Sequence, residues 1–215
     1  MAVGTLGAGT LSGSHDEVVA RYNDVDQAYA EQRENRLLGF VLFLVSDVVI
    51  FSSFIFAYLY LRSSVPNWPP IAAGGHQLPR FDVAFAGVNS VVLFGSGATM
   101  HFALENWKHQ KKGRFNGWLI ATIVLGAGFL LGQAYEYHSV QLAWSGSTMG
   151  ATFFTLTGMH GFHVFVGVVY LITLLIQANR GVYTSSKYFG LTAGTLYWHF
   201  VDVIWVALFY LFYLM

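Results

Sequence analysis

The sequence has no cysteine in 215 residues. That absence removes disulfides, thiolate metal sites, iron-sulfur clusters and cysteine nucleophiles together, and it leaves the redox compartment unspecified. Charge is scarce as well: Asp, Glu, Lys and Arg make up 10% of the chain, against about a quarter in soluble domains. Lys+Arg 11 and Asp+Glu 11 cancel, so bulk electrostatics recruits neither nucleic acid nor an anionic partner. Proline is confined, with all four prolines inside residues 62–82. A secretion-signal pattern is also missing, because "MAVGTLGAGTLSGSH" has no basic residue ahead of its apolar letters and is interrupted by Gly and Ser. What remains is 55% hydrophobic and 17% aromatic. This is the composition of a membrane protein.

A hydrocarbon core of about 30 Å needs about 20 apolar residues to cross it. Five stretches qualify, 37–61, 84–104, 117–138, 151–177 and 191–214. The expected fold is therefore all-α, a polytopic bundle of five transmembrane helices over residues 37–215. Residues 1–36 form an N-terminal arm: a loose polar tail, then "DEVVARYNDVDQAYAEQRENR", which reads as a short surface helix or ordered arm. The proline-rich "RSSVPNWPPIAAGGHQLPRFD" is expected to be a non-helical loop outside the bilayer.

Basic residues set the orientation, because cytoplasmic loops retain Lys and Arg. Arg21, Arg33, Arg36, Lys108, Lys111, Lys112, Arg114, Arg180 and Lys187 would lie on one side, with only Arg62 and Arg80 on the other. The N-terminus is thus expected in the cytoplasm and the C-terminus outside. Trp68, Trp107, Trp118, Tyr137, Trp144, Tyr183 and Tyr188 gather at the span ends as an interfacial belt. Small residues recur where helices should touch: Gly87, Ser90, Gly95 and Gly97, then Gly126, Gly128 and Gly132, then Gly158, Gly161 and Gly167.

Ionisable side chains at bilayer depth mark a partner across the bundle, a wet cavity or an ion pathway. Asp47, His101, His160, His163, His199 and Asp202 lie within spans, and Glu136 lies near the end of one. At 1.5 Å per residue, Asp47, His160 and Asp202 each lie roughly 15 Å into their spans. His160 and His163, three apart, share a helix face that could offer metal or haem ligands, with His199 approaching from a neighbour. The flanking Gly161 and Phe162 favour close packing over a macrocycle. Polar pairing is the preferred alternative: His160 or His163 with a carboxylate such as Asp47, and His199 with a carbonyl or another side chain. "FLVSDVVIF" places Asp47 in an apolar run, where it either exchanges protons or fixes helix packing. Glu136 in "GQAYEYHS" is expected closer to the outer surface, in contact with water or a partner.

Four motifs carry a resemblance. "STMGATFFTLTGMHGFHVFVGVVYL" (147–171) is similar to the signature helix of subunit III of the haem-copper terminal oxidases, with its T-G-x-H-G-x-H-V pattern. "YWHFVDVIWVALFYLFYL" (197–214) resembles that family's last helix, with its W-H-F-x-D-x-x-W core. "FLVSDVVIF" matches the position of the family's buried carboxylate, and "GQAYEYHS" its Q-A-x-E-Y segment. The motifs fall in the family's order over nearly all of 37–215.

The resemblance implies an accessory, non-redox subunit of a proton-pumping oxidase of aerobic respiration, a translocase that reduces O2 to water. Such a chain is not itself catalytic. It binds no haem and no copper, both of which belong to partner subunits. It packs against subunit I, with subunit II and a small subunit IV as further partners, binds phospholipid and supports proton uptake. Its place would be the bacterial inner membrane. Carried over by motif, Asp47 is the buried proton-linked carboxylate, while Glu136, His160, His163, His199 and Asp202 are structural polar or lipid-facing groups. Many members have seven helices and a Glu in place of Asp47. Five helices and an Asp are reminiscent of bacterial quinol oxidases, although five-helix subunits occur in bacterial cytochrome c oxidases too. The expected donor is cytochrome c, with quinol as the alternative. An independent proton channel or transporter, or a membrane cytochrome with its own haem, are the other classes to weigh.

Overall fold

The computed structural model describes residues 15–64, 82–139, 148–183 and 188–215, of which 15–31 and 33 are described as backbone only. The proline-rich loop with Trp68 and Arg80, the tail before residue 15, Trp144 and Lys187 lie outside the described residues. Five helices follow one another: α1 (His15–Ser64), α2 (Val83–Lys108), α3 (Lys112–Ser139), α4 (Thr148–Asn179) and α5 (Phe189–Phe209). A π-helical turn, Tyr210–Leu214, continues α5. All five helices contain a segment long and apolar enough to cross a membrane, and there is no strand among the described residues. The chain divides into residues 1–42 and 43–215. The first unit holds the N-terminal turns of α1; the second holds everything discussed below.

Local signals explain the helix ends. The Asp82 carboxylate accepts from the Phe85 amide at 3.0 Å and caps α2. α2 and α3 form a tight hairpin, with the chain reversing at Gln110 in the left-handed region (φ 58°). The Lys111 amide there donates back to the Asn106 carbonyl at 2.9 Å. α4 ends at Gly181 (φ 76°), where the Val182 amide reaches the Gln177 carbonyl at 3.1 Å and the Gly181 amide the Ala178 carbonyl at 3.2 Å. That is a Schellman close, and glycine adopts its φ without strain.

The core is built around two tryptophans of α5. Trp198 donates to the Ser96 hydroxyl at 2.9 Å and Trp205 to the Ser90 hydroxyl at 2.8 Å. Advancing along α5 thus corresponds to retreating along α2, so the two helices are antiparallel. Both indoles are fully buried, and a buried N–H left unpaired would cost about 1–3 kcal/mol. Glycine makes their room. A Cβ at Gly126 of α3 or Gly167 of α4 would stand 2.7 Å or 2.8 Å from the Trp198 ring. Gly132 likewise faces Asn89, whose amide donates to the Phe129 carbonyl at 3.2 Å. Gly87, Gly95, Gly128 and Gly161 have no such neighbour, so the expected small-residue faces divide into contact glycines and open ones.

α1 joins the other helices through long side chains. Phe51 meets the His163 ring at 5.0 Å and the Phe200 ring at 6.5 Å. Farther along, Tyr58 packs on Phe212 at 4.8 Å and donates to the Leu211 carbonyl at 3.1 Å, while Arg62 donates to the Met215 carbonyl at 2.7 Å. The π-helical turn supplies the first of those carbonyls, Met215 after it supplies the second, and the turn buries three successive side chains, Leu211, Phe212 and Tyr213. A single-turn π element of this kind commonly redirects side chains at a functional place.

Candidate functional site: buried carboxylates and histidines

Six of the seven ionisable residues singled out from the sequence fall into four places, and the seventh, His101, is exposed on α2. Asp47 meets His163, with Oδ1 4.0 Å from Nε2. Asp47 is buried, and its Oδ2 has no hydrogen-bond partner among the described residues. His163 is held from behind: Nδ1 lies 2.8 Å from the Met159 carbonyl, Phe51 covers the ring, and Tyr197 donates to the His163 carbonyl at 3.0 Å. A carbonyl can only accept, so Nδ1 carries the hydrogen and Nε2 is the nitrogen turned to Asp47. The two groups face each other across 4.0 Å without a hydrogen bond.

His160 takes a different direction. Three residues advance a helix by about 300°, so its side chain diverges by about 60° from that of His163. Its ring is fully buried, stacked on Trp205 at 4.9 Å and edge-on to Phe129 at 5.8 Å. Neither ring nitrogen has a hydrogen-bond partner among the described residues. His163 thus pairs with Asp47, and His160 does not.

Glu136 was expected toward the outer surface in contact with water or a partner; it is 2% exposed, with its partner inside the chain. Tyr213 of the π-helical turn donates to its Oε1 at 2.6 Å, and the Gln133 amide reaches Oε2 at 3.4 Å. The reason is tertiary: the π turn swings Tyr213 inward over the end of α3. Beside it, Tyr137 and Thr157 share a 2.7 Å hydrogen bond between α3 and α4.

His199 and Asp202 form the fourth place, with Nδ1 3.7 Å from Oδ2 on one turn of α5. Asp202 is set against α2 at Gly97, where a Cβ would collide with Oδ2. Its Oδ1 has no partner among the described residues, and His199 has a side chain 43% exposed. Asp47, His160 and Asp202, expected near one depth, thus belong to separate contacts. Among the described residues no three His, Asp or Glu side chains gather as a metal ion would require.

The sequence matches the cytochrome c oxidase subunit III family over residues 17–215. The chain belongs to that family. It is 38% identical over 189 residues to cytochrome c oxidase subunit 3 of Bacillus subtilis, covering 85% of this chain and 87% of the relative. Against the Synechocystis protein of the same name it is 36% identical over 181 residues, 84% of this chain and 76% of the relative. With that of Loxodonta africana it shares 34% over 207 residues, 94% of this chain and 72% of the relative. The relatives are thus subunit 3 of a terminal oxidase complex, and among its described residues this subunit III chain has five helices long and apolar enough to cross a membrane.

Within this subunit III fold, several side chains that build the sites carried no obvious mark in the sequence. Tyr213, Tyr197 and Tyr58 each send their hydroxyl to an acceptor on another helix or turn. A usable signal did exist for the core. Trp198 and Trp205 are seven apart and Ser90 and Ser96 six apart, a spacing that matches two antiparallel helices in register over two turns.

Proposed function

We propose that this subunit III chain is an accessory, non-redox subunit of a proton-pumping terminal oxidase in a bacterial plasma membrane, with the N-terminus on the cytoplasmic side. In this reading it packs on subunit I, meets subunit II and a small subunit IV, holds phospholipid, and leaves haem and copper to its partners. The relatives it matches are named for cytochrome c oxidase, which favours cytochrome c over quinol as donor.

The observation that supports the proton role is the buried Asp47 beside His163, 4.0 Å away, with a carboxyl oxygen that has no hydrogen-bond partner among the described residues. A buried acid with a free acceptor can pass a proton without leaving a net charge in the membrane. Asp47→Ala tests it in the assembled oxidase. Turnover coupled to proton uptake should fall at least two-fold while subunit III stays bound at full stoichiometry. Unchanged turnover in an intact complex rejects the proton role, and loss of the subunit assigns Asp47 to packing. Co-purification tests the wider reading: a lone homo-oligomer from mild detergent, with no haem-containing partner, would sink it.

A further inference from the structure

His160 of α4 and Gln133 of α3 are two deeply enclosed polar side chains, 0% and 3% exposed. Each keeps hydrogen-bonding capacity that nothing among the described residues fills. Both ring nitrogens of His160 are without a partner, and so is Oε1 of Gln133, whose amide nitrogen donates to Glu136 at 3.4 Å. A neutral imidazole carries one N–H and one acceptor nitrogen, and an amide oxygen can accept twice. Left bare in an apolar interior, each such group costs its full desolvation penalty.

The pairing of α3 with α4 sets the two groups at one level. Tyr137 meets Thr157 at 2.7 Å, and a Cβ at Gly126 would stand 3.2 Å from Val168. The two helices are thus antiparallel, and between those contacts Gln133 falls level with His160. Both lie on inward stripes, Phe129, Gln133 and Glu136 on α3 and Thr157, His160 and Val164 on α4, at the three- and four-residue spacing of a single helix face. Rings close the place off. Phe129 stands edge-on to the imidazole at 5.8 Å and to Trp205 at 4.8 Å, and Trp205 stacks on the imidazole at 4.9 Å. The neighbouring donors are committed elsewhere, the Trp205 N–H to Ser90 at 2.8 Å and the Thr157 hydroxyl to the Phe153 carbonyl at 2.6 Å.

An occupant of this place must donate to the Gln133 oxygen and meet an imidazole nitrogen as donor or acceptor. A metal ion has no group of three His, Asp or Glu side chains here among the described residues, and an acyl chain has no polar hydrogen to give. Water does both, and two to four polar partners are what a buried water needs. We infer that an internal water bridges Gln133 Oε1 to a ring nitrogen of His160 inside the core formed by α3, α4 and α5. It carries the run from Tyr213 through Glu136 to Gln133 across to α4. One hydrogen-bonded network then joins the π-helical turn to the helix that also bears His163. Its role is positional: with His160 tethered inward, the rotation of α4 that turns His163 to Asp47 is held. The site belongs to this chain alone and stands whether or not Asp47 exchanges protons.

A cryo-EM map of the purified membrane assembly containing this chain, at a resolution that shows ordered water, tests it on the unaltered protein. A density peak within about 3.2 Å of both Gln133 Oε1 and one His160 nitrogen is expected. A direct bond between the two side chains, or two bare groups with no peak between them, would overturn the inference. Thermal dissociation of the subunit gives a second reading. His160→Phe and Gln133→Met should each lower its midpoint by at least about 3 °C, and the double variant by no more than the worse single one, because removing both partners strands neither. Strictly additive losses would reject the bridge.

Discussion

Glu136 and Asp47 are both buried carboxyl groups in apolar helices, and their surroundings differ in kind. Glu136 receives the Tyr213 hydroxyl of the π-helical turn at 2.6 Å and the Gln133 amide of its own helix at 3.4 Å. Asp47 has the His163 ring at 4.0 Å, beyond hydrogen-bond reach, and an oxygen with no hydrogen-bond partner among the described residues. The first arrangement satisfies a carboxyl group and locks it. The second leaves it able to change partners. A carboxyl group enclosed by donors and one without a short hydrogen bond can thus lie in one small fold, told apart by the groups around them.

Mutation can break or sharpen that contrast. The largest loss of stability is expected from Glu136→Leu, which strands the Tyr213 hydroxyl and the Gln133 amide in the core. A cost of about 1–3 kcal/mol should appear as earlier thermal dissociation of the subunit from the oxidase, with turnover of the remaining intact complex unchanged. Tyr213→Phe is the milder form: it removes one hydroxyl and leaves the ring stacked on Phe209 at 5.2 Å, so the same melting experiment should show about 1 kcal/mol. Asp47→Asn should be the smallest in stability, within about 0.5 kcal/mol, because no short hydrogen bond is lost. Its turnover should nevertheless fall as in Asp47→Ala, since an amide cannot exchange a carboxyl proton. If Asp47→Asn melted as early as Glu136→Leu at full turnover, the two acids would have the same structural role.

The legible parts of this protein were those written along the chain. Hydropathy, length and the absence of charge are properties of segments, and they marked all five helices to within a few residues for most ends. The motifs T-G-x-H-G-x-H-V and W-H-F-x-D-x-x-W marked the family, because they are contiguous letters. The partner of each polar group was not legible. His160 and His163 are equally suited by type to face Asp47. The rotation of α4 decided between them, sending His160 under Trp205 and His163 toward α1. For Glu136 the sequence left water or a partner open, because nothing local announces that the last turn of α5 widens and brings Tyr213 to it.

By itself, then, the sequence determined that this is an all-α membrane chain of the subunit III family without cysteine chemistry, since the bilayer forces every crossing segment to satisfy its own backbone. Only the tertiary structure decided which acid is enclosed, which faces a histidine, and which histidine stands at the surface. Those outcomes depend on helix rotation and glycine-permitted approach, which are set between helices and carried by no single one of them.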